Sequence, residues 1–230
     1  MPGGGLCLAA ATYGASTAGA SPALVVVLHG DVSSGGPADY HFWTARNLAG
    51  PGVVSVALLR PGYSDSIGRV SEGSANGRRD HYTAANINAV ADAIAALKNH
   101  YKARRVVVLG HSGGAAMAGV LIGKRPGLVQ GVVLASCPCD IVRWRTSRGR
   151  GAWPNSESPS TYVEKVPKST QVVAITGSAD DNTFPAMARD YVAKLAARGV
   201  NARFESVSSG HDFNGNLASA SVAAVRAMLK

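Results

Sequence analysis

The chain has 230 residues, 46% of them hydrophobic and only 16% charged, which excludes an intrinsically disordered chain and leaves room for one sizeable domain. Aromatic residues make up 6%, against 27 glycines, so the composition suits close packing of helices on a sheet better than a surface for stacking bases. Twenty-three Lys and Arg against 14 Asp and Glu leave a formal charge of +9, and no apolar run approaches the ~18 residues of a membrane span.

Met1-Pro2-Gly3-Gly4-Gly5 carries no basic segment ahead of the short apolar stretch Leu6–Thr12, so it does not read as an intact signal peptide, and the compartment stays open. Leu6–Tyr13 reads as one edge strand. Leu24–Leu28 is a continuous apolar, β-branched run, the pattern of a strand covered on both faces. A helix is predicted over Asp39–Ala49 and a strand over Val53–Leu59. Arg60–His81 follows as a loop rich in Gly, Ser and Arg. Thr83–His100 is the clearest helix, with Ile87, Val90, Ala91, Ile94 and Leu97 at helical spacing. Val106–Leu109 is a strand, Gly113–Lys124 a helix and Gly131–Ala135 a strand.

The stretch Cys137–Thr170 breaks the alternation, with prolines at 138, 154, 159 and 167 and little periodicity; a loop this long usually shapes a binding site. Strands at Val172–Thr176 and Ala202–Val207 and helices at Ala186–Ala197 and Leu217–Leu229 complete the series. Strands alternating with helices predict an α/β fold with a mostly parallel sheet and helices on both faces. Functional residues then gather at the carboxyl ends of the strands. Cys7, Cys137 and Cys139 are too few for a disulfide framework and lack C-x-x-C spacing. They read as structural: a buried thiol, or one bridge from Cys7 to the 137/139 pair.

The chemistry gathers at three strand ends. Val106–Leu109 runs into Gly110-His111-Ser112-Gly113-Gly114 and then into a helix, the strand–turn–helix setting that G-x-S-x-G requires. The turn drives the central residue into a strained backbone region, and flanking glycines remove Cβ atoms that would collide across it. Ser112 is the candidate nucleophile, and a serine hydroxyl needs a base and a group to orient that base. Gly177-Ser178-Ala179-Asp180-Asp181 puts a carboxylate beyond the next-to-last strand, and Ser208-Ser209-Gly210-His211 puts an imidazole beyond the last. Asp180 is favoured as the acid on its spacing from Gly177. Asp181, four residues before Pro185, is the alternative.

This ordered Ser112, Asp180 and His211 resembles the α/β-hydrolase superfamily from about Leu24 to the carboxyl terminus. Gly110-His111-Ser112-Gly113-Gly114-Ala115 is similar to the catalytic domains of prolyl-oligopeptidase-type peptidases and their esterase and dienelactone-hydrolase-type relatives. His29-Gly30 stands where the superfamily places an oxyanion-hole contributor, and Arg60-Pro61-Gly62-Tyr63-Ser64-Asp65-Ser66 resembles its next loop. The resemblance implies an oxyanion hole from the backbone N–H groups of Asp31 and Gly113, a mainly structural His29, and one α/β-hydrolase domain over 1–230 with a short cap-like insert at about 137–170. It also implies a serine esterase working through an acyl-enzyme on short or accessible esters, a small molecule or a polymer end. A peptidase, thioesterase or lactone hydrolase on the same fold ranks behind it. So small a cap does not suit long lipid chains, and the peptidases' propeller domain has no room in this length.

Other classes fare worse. A non-catalytic binding protein need not keep all three residue types. A nucleic-acid-binding module has only the net charge for it, with few aromatics and no motif interleaving them with Arg and Lys. The chain has no H-E-x-x-H, G-x-G-x-x-G or P-loop lysine, so no metal and no cofactor is implied. His41, His81, His100 and His111 read as structural or surface residues, His111 being the variable position of the elbow. His29, Trp144 and Trp153 are candidates for pocket lining. The excess charge falls in two loops, Arg78-Arg79 and Arg143, Arg145, Arg148 and Arg150, predicting a basic rim that attracts anionic esters, or a merely solvated basic surface.

Overall fold

The computed structural model describes residues 2–3 and 5–230. Strands β1 (Pro2–Gly3) and β2 (Leu6–Cys7) form a small antiparallel ladder. β3 (Ala10–Tyr13) then lies antiparallel on β5 (Val53–Leu58) at one edge of the main sheet. The segment predicted as one edge strand is therefore two, because Leu6–Cys7 pair with Pro2–Gly3 while Ala10–Tyr13 pair with β5; between them Leu8 is buried and Ala9 accepts a hydrogen bond from the Leu59 N–H.

Six parallel strands carry the fold: β4 (Ala23–Leu28), β5, β6 (Arg105–His111), β7 (Gly131–Ala135), β8 (Gln171–Gly177) and β9 (Asn201–Val207). With β3 they run in the order β3-β5-β4-β6-β7-β8-β9. Every side chain of β4 is buried, as a strand covered on both faces demands. Leu24, Val26 and Leu28 face one apolar layer with α2 (Ala84–His100), α3 (Gly113–Lys124) and α5 (Pro185–Ala197). Val25 and Val27 face the other, with α1 (Phe42–Leu48) and α6 (Gly215–Leu229). β4 and β6 thus sit at the centre, and their carboxyl ends deliver Gly30-Asp31 and Ser112 to one edge of the sheet.

The stretch 137–170 is more ordered than its sequence predicts. It holds α4 (Ile141–Thr146), whose first turn is capped by the Asp140 carboxylate accepting from the Arg143 N–H at 3.0 Å, and a 3₁₀ helix over Pro159–Lys165. Cys137 and Cys139 bond to each other, which corrects the reading of a bridge from Cys7; the turn at Pro138 brings their Cα atoms to 5.1 Å, and Cys7 is an exposed free thiol.

Candidate active site

Ser112 sits between β6 and α3 with φ 50° and ψ −115°, a strained conformation for a residue bearing a side chain. Its N–H donates to the Ala135 carbonyl at 2.8 Å, which ties the turn to the next strand. The glycines are steric necessities. A Cβ on Gly110 would lie 2.5 Å from the Gly114 carbonyl oxygen, and one on Gly114 would lie 2.6 Å from that of Leu28. The N–H groups of Asp31 and of Gly113, the first of α3, have no acceptor among the described residues.

His211 follows β9, and its Nε2 lies 3.1 Å from Ser112 Oγ. Its Nδ1 donates to Asp180 at 3.0 and 3.1 Å, which fixes the tautomer and leaves the Nε2 lone pair facing the serine hydroxyl. The Asp180 side chain is buried and accepts from the N–H groups of Asn182 and Thr183 and from the Thr183 hydroxyl. Burial opposes its charge, but the hydrogen bond and charge of His211, with the Thr183 N–H, bring its pKa down to about 2. Asp181, one residue on, is exposed and is not among the partners of His211.

Beneath this trio lies a paired network that sequence reasoning missed. Arg60, wholly buried after β5, donates to Asp31 Oδ1 at 2.6 Å and to the Gly30 carbonyl at 3.0 Å, with Tyr63 4.9 Å from its guanidinium. Tyr82 donates to the other Asp31 oxygen at 2.5 Å. Burial raises the Asp31 pKa, but Arg60 above all, then His81 and Tyr82, hold the carboxyl below its usual range. Gly113 touches the same network: a Cβ there would strike the Asp31 carboxylate and come within 2.8 Å of both Arg60 Nη1 and the Tyr82 hydroxyl.

His111 is not simply a variable position. Its ring is buried, and burial together with His211 lowers its pKa to about 3, leaving it neutral. The Gly30 N–H donates to the Tyr40 hydroxyl at 2.5 Å, that hydroxyl to His111 Nδ1 at 2.6 Å, and His111 Nε2–H to the His211 carbonyl at 2.9 Å. One chain of hydrogen bonds therefore fixes the loops after β4, β6 and β9 relative to one another. A weak signal for the missed residues was the position of Arg60 and His111 at strand ends; Tyr40 and Tyr82 gave none, because their partners are remote in sequence.

Two clefts open beside Ser112 and share Asp31 and His211. One, about 630 Å³, is walled by Val32, Tyr40 and Phe213 and by the segment after His211. The other, about 440 Å³, is walled by Trp144, Trp153, Arg79, Arg145 and Arg150. Both candidate tryptophans thus reach the cleft. His29 does not: it is wholly buried, accepts at Nε2 from the Arg60 N–H at 3.0 Å, donates from Nδ1 to the Gly30 carbonyl, and is kept neutral by burial and by Arg60. The predicted basic rim is narrower than the six arginines suggest, with Arg78, Arg79, Arg145 and Arg150 on the cleft. Arg143 pairs with Asp190, Arg148 donates to the Asp181 carbonyl, and Arg78, which borders the cleft, is tied down by donating to the carbonyls of Val32 and Gly36. Among the described residues no cluster of three or more His, Cys, Asp or Glu side chains is placed to hold a metal ion, and no helix is long and apolar enough to cross a membrane.

The sequence profile of the prolyl oligopeptidase family matches residues 39–228. No curated protein matches the chain. Among solved structures, the fold is similar to that of Est1E from Butyrivibrio proteoclasticus with bound ferulic acid, at 15% identity over 98% of this chain and 95% of that one, with a TM-score of 0.73. It is also similar to the Pyrococcus furiosus esterase PF2001, at 14% identity over 97% and 85% of the two chains and a TM-score of 0.71. A monoacylglycerol lipase from Paleococcus ferrophilus matches at 17% identity over 97% and 98%, with a TM-score of 0.67.

Proposed function

The chain belongs to the prolyl oligopeptidase family and has the α/β-hydrolase fold of a serine hydrolase, and from that premise we propose that it cleaves carboxylic esters through an acyl-enzyme on Ser112. The observation that carries the reading is the continuous line from Asp180 through His211 to the Ser112 hydroxyl, with bonds of 3.0 and 3.1 Å. In this reading residues 1–230 act as one domain, and 137–170 serves as a short cap over the site.

His211 Nε2 takes the Ser112 proton as Oγ attacks the ester carbonyl. The oxyanion is held by the free N–H groups of Asp31 and Gly113, at a helix N-terminus that favours negative charge. Asp180, ionised throughout the neutral range, stabilises the imidazolium and holds its orientation. The tetrahedral species collapses with loss of the alcohol, which carries away the Nε2 proton. Water then gives a proton to Nε2 and its oxygen to the acyl carbon, and the acid leaves as Ser112 regains its hydrogen. The esterases and the lipase of similar fold support ester over amide chemistry, and clefts of about 630 and 440 Å³ suit short or accessible esters. The family's name favours a second reading, amide cleavage.

A fluorophosphonate should label Ser112 covalently, and p-nitrophenyl esters of rising chain length should turn over faster than aminoacyl amides. Ser112→Ala should abolish both, and Asp180→Asn should lower kcat by about 10⁴, while Asp181→Asn leaves it within a few-fold. Folded protein that resists the phosphonate, or prefers amides, refutes the assignment.

A further inference from the structure

Resting on the ester-hydrolase reading above, we propose that the cleft walled by Arg79, Arg145 and Arg150 is an anion subsite, and that the preferred substrates are esters whose acyl part ends in a carboxylate. These guanidinium groups border the same cleft as Ser112 and His211, and none of them has a carboxylate partner among the described residues. Arg79 and Arg150 make no side-chain hydrogen bond there at all, and both are exposed to the cleft's solvent. Arg145 is held for the purpose: its Nε donates to the Gly151 carbonyl at 2.9 Å and its guanidinium lies 4.7 Å from the centre of the Trp153 ring, leaving its outer nitrogens unbonded.

The single carboxylate on this cleft among the described residues, Asp31, is consumed by Arg60 and Tyr82 and has nothing to offer the arginines. Like charges gathered without a counter-charge repel. Arg145 shows the strain: burial first, and then Arg150, with Arg79 and Arg148, lower its pKa. A carboxylate entering the cleft relieves that repulsion and accepts charge-assisted hydrogen bonds, whereas a neutral chain of equal length gains neither. His211 borders both clefts; in this proposal the acyl part takes this one and the alcohol the other, along Phe213 and Asn214.

The test compares p-nitrophenyl monoadipate with p-nitrophenyl hexanoate, acyl chains of equal length that differ by a terminal charge. Wild-type protein is expected to show kcat/KM about tenfold higher for the monoadipate at low ionic strength. The preference should collapse toward unity near ~1 M NaCl, where screening acts over about 3 Å. Arg79→Gln, Arg145→Gln and Arg150→Gln should each reduce the ratio several-fold, and the triple variant should remove it. Turnover of hexanoate without any preference for the charged ester, or a preference that survives the triple variant, overturns the subsite and leaves ester hydrolysis standing. Failure of folded protein to cleave either ester and to accept a fluorophosphonate overturns both.

Discussion

Arg60, in the buried network around Asp31, and Arg145, in the wall of the cleft beside Ser112, have surroundings that differ in kind. Arg60 is sealed from solvent, paired with Asp31 and bonded to the Gly30 carbonyl between the Tyr63 and Tyr82 rings. Arg145 is half-buried in the stretch 137–170, stacked on a tryptophan and facing other arginines. Burying a charge in a low-dielectric interior is tolerable only when an opposite charge meets it, so the base of the site is closed around the Arg60–Asp31 pair. In the wall, water screens what remains unpaired, and incomplete neutralisation persists at small cost. The base should therefore be brittle and the wall forgiving.

Acid should expose the difference most. Burial first of all lowers the pKa of His41 to about 3, of His81 to about 4 and of His111 to about 3, all in the base. The unfolded chain takes up these protons near the ordinary value of 6.5, while the folded chain does not. Stability is thus full above 6.5 and falls as pH descends toward 4 and 3, by roughly 4 kcal/mol per unit for the trio. Urea unfolding between pH 7 and 5 measures this, and a flat profile would mean that the base is not as closed as its contacts indicate.

Arg60→Met should cost about 3–5 kcal/mol by leaving Asp31 without its cation, and adding Asp31→Asn should recover part of the loss; thermal melts of the single and double variants check both. A matched pair of glycine substitutions sharpens the contrast further. Gly113→Ala, whose Cβ meets Arg60, Asp31 and Tyr82, should cost about 1–3 kcal/mol. Gly151→Ala, with nothing within 4 Å, should stay within about 0.5 kcal/mol. Smallest of all, Asp190→Ala removes an exposed partner of Arg143, and its melt should move by less than about 1 kcal/mol.

The same division decided what could be read from the chain alone. Apolar β-branched runs such as Leu24–Leu28 announce buried strands because burial acts on each residue of the run, and the glycines around Ser112 announce the turn because only they fit it. The order Ser112, Asp180, His211 was legible for the same local reason. Ile141–Thr146 was not: six residues are too short for a helical period to show, although Asp140 stood as a capping signal. The Cys137–Cys139 bond was not legible, because a single residue separates its partners where the familiar C-x-x-C signal has two. The Arg60–Asp31–Tyr82 cluster and the Tyr40–His111 link joining the loops were invisible, since each contact joins segments that only the sheet order brings together. The arginines of the wall were visible as a charge excess, but only the fold separates those bordering the cleft from Arg143 and Arg148, which are engaged elsewhere.

The link from Gly30 through Tyr40 and His111 to the His211 carbonyl has a consequence for how the chain is born. Its parts leave the ribosome in order, and β4 and β6 can pair long before β9 exists. His111 then waits for a carbonyl made a hundred residues later, and Ser112 for the imidazole of that same residue. Until β9 docks at the edge of the sheet, the serine is an ordinary hydroxyl on a folded elbow. A nascent or truncated chain therefore lacks the Asp180–His211–Ser112 line on which the proposed acyl-enzyme rests.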